Sequence, residues 1–133
     1  NIMIKDLNAA DIMTKKLITF TPDTQVLKAI DKLISYRISG APVLDDNGNM
    51  IGMLSEIDCM QTFVQSAYHN EIGGLVKDFM SLEVKTITSF IGIVDLAEFF
   101  LETHFRRLPV VDNGKLVGQV SRRDVLRAIQ KLS

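Results

Sequence analysis

Apolar positions recur along the chain in two rhythms. Val26, Leu27, Ile30, Leu33 and Ile34 follow a period near 3.6, which predicts a helix with one buried face. Ile93, Val94, Ala97, Phe100 and Leu101 repeat that stripe. Ahead of each helix stands a short run, Leu17 to Phe20 and Val84 to Ile87, expected as a strand. In the first copy Thr21-Pro22-Asp23 supplies a capping hydroxyl, a proline for the first helical position and an early acid, so the helix is expected to open there. Each helix is followed by two more apolar runs, Pro42 to Leu44 with Met50 to Leu54, and Pro109 to Val111 with Leu116 to Val120. An Asn-Gly pair separates the runs, and because both residues tolerate positive φ it predicts a hairpin. A last helix starts at Ser55 or Ser121, running to about Tyr68 in the first copy and to the chain end in the second. His69-Asn70-Glu71-Ile72-Gly73-Gly74 reads as a linker.

The recurrence is a duplication. At an offset of 67, Asp11, Met13, Thr19, Thr21, Pro42, Val43 and Asp45 match Asp78, Met80, Thr86, Thr88, Pro109, Val110 and Asp112. One residue is lost in the turn. At an offset of 66, Asn47, Gly48, Gly52, Ser55 and Asp58 then match Asn113, Gly114, Gly118, Ser121 and Asp124. Each unit is β-α-β-β-α, with boundaries expected at residues 10–63 and 77–131 and a linker over 64–76. About sixty residues bury a marginal core alone, so two copies packed against each other are the expected stable object.

Composition narrows the class. Apolar residues form 47% of the 133, enough for a substantial core, and no stretch reaches the roughly 20 apolar residues of a membrane helix. No leader resembles a signal peptide, and the opening Asn1 suggests a chain trimmed from a longer protein. The single Cys59 rules out an intramolecular disulfide framework and predicts a reducing, cytoplasmic setting. Net charge is −1, which disfavours non-specific nucleic-acid binding. The halves differ: residues 1–67 carry six Lys/Arg against eight Asp/Glu, and residues 68–133 carry nine against eight. Most of the late positive charge lies between Arg106 and Lys131.

The sharpest chemical signal is Gly-x-x-Ser-x-x-Asp, at Gly52, Ser55 and Asp58 and again at Gly118, Ser121 and Asp124. Ser-x-x-Asp at a strand-to-helix junction is a capping box in its simplest reading. A glycine within a buried strand, twice, adds a second reading, since it often marks the close approach of a ligand or of another backbone. A carboxylate at a helix N-terminus is an acceptor with two oxygens. The vicinal hydroxyls of a ribose are a matching pair of donors, so Asp58 and Asp124 can each grip one ribose with the Ser hydroxyls nearby.

With its Asp-x-Met before the first strand, Pro-Val-x-Asp and Gly-x-x-Ser-x-x-Asp, each present twice and in order, the chain resembles a tandem pair of CBS domains, often called a Bateman module. The resemblance implies an α/β fold of two β-α-β-β-α repeats packed with pseudo-twofold symmetry. It implies a regulatory module rather than an enzyme, binding adenosine derivatives (AMP, ADP, ATP or S-adenosylmethionine) in clefts between the repeats, with no cofactor required. By family role, Asp58 and Asp124 hold ribose, and Ser55 and Ser121 contact ribose or phosphate. Ile18, Thr19 and Thr21, with Lys85, Thr86 and Thr88, cradle the base. Positions just before Pro-Val face phosphate: Arg106 and Arg107 in the second copy, Ser39 and Gly40 in the first. The resemblance further implies a homodimer formed through helical faces and an effector domain or partner that reads the bound state.

The two copies are not equivalent. Arg106 and Arg107, with Arg122 and Arg123 near the same helix start, suit phosphate through the planar fork of arginine. Ser39 and Gly40 offer less cationic help, so that site is expected to be weaker or to take an uncharged adenosyl group. A purely structural dimerisation module with empty pockets is the rival expectation. His69 and His104 lack partners at metal-ligand spacing, Cys59 reads as a small buried hydrophobe, and no Gly-rich phosphate loop or activated nucleophile is present.

Overall fold

The computed structural model describes residues 3–69 and 73–132; Asn70, Glu71 and Ile72 of the expected linker lie outside them. The elements in order are α1 (Ala9–Ile12), α2 (Val26–Ser35), β1 (Gly40–Leu44), β2 (Met50–Ser55), α3 (Glu56–His69), α4 (Val76–Phe79), α5 (Ile93–Glu102), β3 (Arg107–Asp112), β4 (Lys115–Ser121) and α6 (Arg122–Leu132), after one short 3-10 turn at Ile4–Asp6. β1 and β2 form one antiparallel hairpin, and β3 and β4 the other. In the second hairpin Asn113 (φ 51°) and Gly114 (φ 83°) form the tight turn that Asn-Gly predicts. The first turn is one residue longer and is closed by Asp45, whose carboxylate accepts from the Asn47 and Asn49 amides at 2.9 Å.

The expected first strands contract to single bridges. Phe20 pairs in parallel with Val43, and Ile87 with Val110. Each bridge is held by two backbone bonds; Phe20 N–H donates to Pro42 O and Leu44 N–H to Phe20 O, both at 2.9 Å. On β1 and β3 the residue between those two bonding positions is the motif Val, buried at 0% exposure in both copies. The flanking residues make no further ladder, so the segments stay extended without becoming strands.

The helix starts also move. Thr21 does not cap α2; its hydroxyl meets the Thr24 hydroxyl at 2.9 Å, and the Thr21 N–H donates to Thr24 Oγ1 at 3.1 Å, closing a turn. α2 opens at Val26, whose N–H donates to Gly74 O at 2.9 Å. In the other copy Ile93 opens α5 with its N–H on Leu7 O at 2.9 Å. The first amide of each helix is therefore satisfied by a distant stretch of chain rather than by a local side chain.

That distant stretch carries the Asp-x-Met motif. Asp11 Oδ2 accepts from Asn8 N–H at 2.9 Å and Asp78 Oδ2 from Leu75 N–H at 3.2 Å, each carboxylate capping a one-turn helix, α1 or α4. The chain leaving α1 then pairs with β4 through Thr14 and Gln119, and the chain leaving α4 pairs with β2 through Ser81 and Met53. Both bridges are two-way, with N···O distances of 2.9 to 3.0 Å. The stretch that leads into each repeat thus packs on the other repeat's hairpin. The compact units follow this exchange: Ile18–Val84 form one, and the residues up to Leu17 join those from Lys85 onward in the other.

Each unit has its own core. Phe20, Val26, Ala29, Leu33, Ala41, Val43, Leu54, Cys59 and Val76 fill the first. Ala9, Ile87, Ile93, Leu96, Phe100, Leu108, Val110, Val120, Val125 and Ala128 fill the second. Val76 and Ala9, from the exchanged stretches, are both fully buried.

The exchange also explains the motif glycines. A Cβ on Gly52 would lie 2.8 Å from Met80 Sδ and 3.0 Å from Ser81 O. On Gly118 it would lie 2.5 Å from Met13 Sδ and 3.1 Å from Thr14 O. A methionine side chain and the backbone that follows it take the space. Gly52→Ala or Gly118→Ala is expected to destabilise its unit by about 1–3 kcal/mol, the cost of overpacking a filled site, read as a lower denaturant midpoint; an unchanged midpoint would show that the methionine retracts freely.

Candidate functional site

Where β2 ends and α3 begins, Ser55 and Asp58 form a complete capping box. Ser55 N–H donates to Asp58 Oδ2 at 2.8 Å, the Ser55 hydroxyl to the same oxygen at 2.9 Å, and Asp58 N–H returns to Ser55 Oγ at 3.2 Å. The box fixes the carboxylate rotamer and leaves Oδ1 for other donors. That oxygen takes the Ser81 hydroxyl at 3.3 Å. Asp58 is buried at 8% exposure, yet the donors that reach its carboxylate, from Ser55 and Ser81, are uncharged.

The second copy repeats the frame with a different occupant. Ser121 N–H donates to Asp124 Oδ2 at 2.8 Å and Asp124 N–H to Ser121 Oγ at 3.2 Å. Asp124 Oδ1 takes Arg127 Nη1 at 3.2 Å, an ion pair across one helical turn. The Arg127 side chain is 63% exposed, so the pair is solvent-screened and exchangeable.

The hairpins bring the residues expected on the phosphate side to the same two corners. Gly40 lies opposite Ser55 in the β1–β2 register, and Ser39 O accepts Glu56 N–H at 2.9 Å. Arg107 lies opposite Ser121, and Arg106 O accepts Arg122 N–H at 3.1 Å. Arg106, Arg107, Arg122 and Arg123 are all exposed. Arg122 is partly committed, its Nε donating to Phe105 O at 3.0 Å. The position that Arg122 fills in α6 is Glu56 in α3, so one corner is strongly basic and the other has an acid where its twin has a base.

The six expected base-side residues lie across the hairpin from Ser55 and Ser121. Ile18, Thr19 and Thr21 flank Phe20, bridged to β1 on the edge away from β2, and Lys85, Thr86 and Thr88 flank Ile87 against β3 in the same way. Ile18 packs on the core, Thr19 is half-buried, and Thr21, Lys85, Thr86 and Thr88 are exposed. Among the described residues, no hydrogen bond joins any of the six to either carboxylate. The Thr21 hydroxyl is engaged with Thr24.

Sequence reasoning missed four site residues. Arg127 was legible as a cation three residues after an acid on a helix. Ser81 was not, since 23 residues separate it from Asp58. Ser89 and Asp112 form a clamp of equal sequence span: Ser89 Oγ donates to Asp112 Oδ2 at 2.6 Å and Ser89 N–H to Oδ1 at 3.0 Å, pinning the stretch after Thr88 to the end of β3. In the first copy Pro22 replaces Ser89 and has no such donors.

Cys59 is buried, and burial, then Asp58 and Glu56, push its thiol above the ordinary value, which keeps it protonated and unreactive. Among the described residues no group of His, Cys, Asp and Glu has the arrangement of a metal site, and no helix is long and apolar enough to cross a membrane.

A family model described as the CBS domain matches residues 9–64 and again 76–131. The chain belongs to the CBS-domain family. CBSX1, a chloroplastic CBS domain-containing protein of Arabidopsis thaliana, is 34% identical across 89% of this chain and 62% of its own length. CBSX2 of the same plant is 32% identical over 89% of this chain and 61% of its own. The chain thus spans about three fifths of these CBS relatives. A crystal structure of CBSX2 in complex with AMP superposes with a TM-score of 0.82 at 34% identity, covering 95% of this chain and 98% of that one. The CBS domain pair of MJ0100, solved with 5′-methylthioadenosine and S-adenosyl-L-methionine, shares the fold at 22% identity, a TM-score of 0.71 and coverage of 95% and 98%.

The Ser89 clamp yields a pH prediction. Its hydroxyl, then its N–H, hold the Asp112 carboxyl below the ordinary 3.8. A depressed folded value means the clamp's stabilisation is present above the ordinary carboxylate range and is lost as pH falls through the folded value. In Ser89→Ala the Asp112 carboxyl is expected to titrate at higher pH than in wild type, read by carbon NMR of the side-chain carboxyls; an unmoved titration would assign the depression to another cause.

Proposed function

We propose that this CBS pair is a regulatory module, without catalytic activity, that senses adenosine derivatives. Asp58 and Asp124 would clasp ribose hydroxyls through Oδ1 while Oδ2 stays in the capping box. The single observation that carries this reading is the division of labour in both carboxylates. One oxygen is locked to Ser55 or Ser121, and the other is held by a side chain that a ligand hydroxyl can replace. It is supported by the CBSX2 structure in complex with AMP at 34% identity.

Ile18, Thr19 and Thr21, with Lys85, Thr86 and Thr88, would line the bases. Ser39 and Gly40 would bound the ligand in the first copy, and Arg106, Arg107, Arg122 and Arg123 would hold phosphate in the second. The contrast between Glu56 and Arg122 favours a phosphorylated ligand at Asp124 and an adenosyl group without phosphate at Asp58, since a carboxylate near phosphate is repulsive. S-adenosylmethionine and adenosine are the candidates for the latter; AMP, ADP and ATP for the former.

The module would act as a homodimer. α3 buries Asp58, Thr62 and Ser66 and exposes Ile57, Met60, Phe63, Val64 and Tyr68, while α6 exposes Leu126, Ile129 and Leu132. Apolar stripes of that extent on neighbouring turns mark an association surface. Ligand binding would then shift the module between arrangements that an effector domain or protein reads, by differential affinity for each. A buried, unreactive thiol suits a reducing compartment, the cytoplasm among them.

A purely structural dimerisation module is the second reading. It is favoured by the internal satisfaction of both carboxylates, which leaves neither in need of a ligand. Calorimetry separates the two. AMP is expected to bind wild type and to weaken at least tenfold in Asp124→Asn, a change that keeps an acceptor for the cap. In the Arg106→Ala/Arg107→Ala double variant the preference for AMP over adenosine is expected to fall about tenfold, the scale of a lost charge-assisted phosphate contact. No heat with adenosine, AMP, ADP, ATP or S-adenosylmethionine would leave the scaffold reading. In sedimentation, Phe63→Asp is expected to convert dimer to monomer; an intact dimer would place the interface elsewhere.

A further inference from the structure

We infer that Ser81 sets the affinity of the Asp58 site by competing with the ligand for the carboxylate's free oxygen; the inference rests on the ribose-binding reading of Asp58. Three observations converge. Asp58 Oδ2 is filled twice by Ser55, so Oδ1 is the oxygen that an outside donor must use. Ser81 Oγ already donates to Oδ1 at 3.3 Å. Ser81 is itself held in place, because its N–H and C=O both bond to Met53 at 2.9 and 3.0 Å and the preceding Met80 is seated on Gly52.

The competition follows from that geometry. An ionised carboxylate oxygen has room for more than one donor, but a vicinal diol needs two at favourable angles. The Ser81 hydroxyl, kept nearby because its backbone is bonded to β2, takes one of those angles. Binding then requires Ser81 to rotate its side chain away and to lose a bond. Removing the hydroxyl costs the carboxylate nothing in orientation, since Ser55 and the helix start fix the rotamer without it. The counterpart of Ser81 in the other copy is Thr14, but there Asp124 Oδ1 is occupied by Arg127, an exposed cation. The two sites therefore carry different gates. A neutral hydroxyl anchored on the sheet guards Asp58, and an exposed guanidinium that can stay beside a bound anion guards Asp124.

The sign of the effect separates competition from support. A residue that merely props up Asp58 gives weaker binding when truncated, whereas a competitor gives tighter binding. The test uses adenosine, which carries no phosphate, titrated by calorimetry into the full chain with the second site silenced by Asp124→Asn. Adding Ser81→Ala is expected to tighten adenosine binding about three- to tenfold, the range for exchanging one modest hydrogen bond. Ser81→Thr, which restores a hydroxyl of the kind Thr14 shows the backbone accepts, is expected to return the affinity to that of Asp124→Asn alone. Adenosine binding that appears only with Ser81→Ala is the same result in stronger form. Unchanged or weaker binding in Ser81→Ala, while Asp58→Asn/Asp124→Asn abolishes binding, overturns the role of Ser81 and leaves the ribose reading standing. Binding that survives Asp58→Asn/Asp124→Asn, or that is absent with and without Ser81, overturns both.

Discussion

The structure depends on one steric arrangement, made twice: a methionine laid across a glycine in the middle of a strand. Met80 on Gly52 and Met13 on Gly118 leave no space for a Cβ. That contact lets the lead-in stretch approach near enough to pair with β2 or β4 and to deliver Val76 or Ala9 into the core. The same stretch supplies the carbonyl that caps α2 or α5. Without the glycine the hairpin would lose a neighbour, the core a side chain and the helix its first acceptor.

Onto this frame each copy sets the same capping box and then diverges around it. Ser55–Asp58 and Ser121–Asp124 have matching 2.8 Å bonds from the serine amide. The box is a structural need of α3 and α6, met whether or not a ligand is present. The two copies therefore differ in what surrounds it: Ser81 against Arg127 on the second oxygen, Glu56 against Arg122 at the first helical residue, and Gly40 against Arg107 on the facing strand. Duplication kept the capping box and varied the charge beside it.

How much of this was legible depends on the range of the interaction. The hairpins were, because Asn-Gly between two apolar runs marks a turn, although Asn113 takes positive φ and Asn47 does not. The helices α2 and α5 were, because 3.6-residue spacing is local, but Leu27, Ile34, Val94 and Leu101 of the expected stripes are exposed and the buried faces run through Ala29 and Leu96 instead. The capping boxes were legible for the same reason. The start of α2 was not: Thr21-Pro22-Asp23 has every local sign of a helix cap, but Gly74, about fifty residues on, supplies the acceptor at Val26 instead. The first strands shrank to single bridges because ladder pairing depends on neighbours that sequence periodicity does not specify. Ser81 and the Ser89 clamp escaped for want of any local pattern, while the exposure of Ile57, Met60 and Tyr68 reversed the usual helix rule, with α3 turning its polar side inward.

The exchange of lead-in stretches separates the unit of inheritance from the unit of packing. The duplicated text begins near Asp11 and Asp78, but the piece that closes its own core runs Ile18–Val84. A gene fragment cut at the edges of the repeat would encode a hairpin with a bare glycine furrow and a helix missing its cap. A fragment cut after Leu17 and Val84 would carry its own plug. Recombination that respects the protein's mechanics must therefore be out of phase with the repetition visible in its letters.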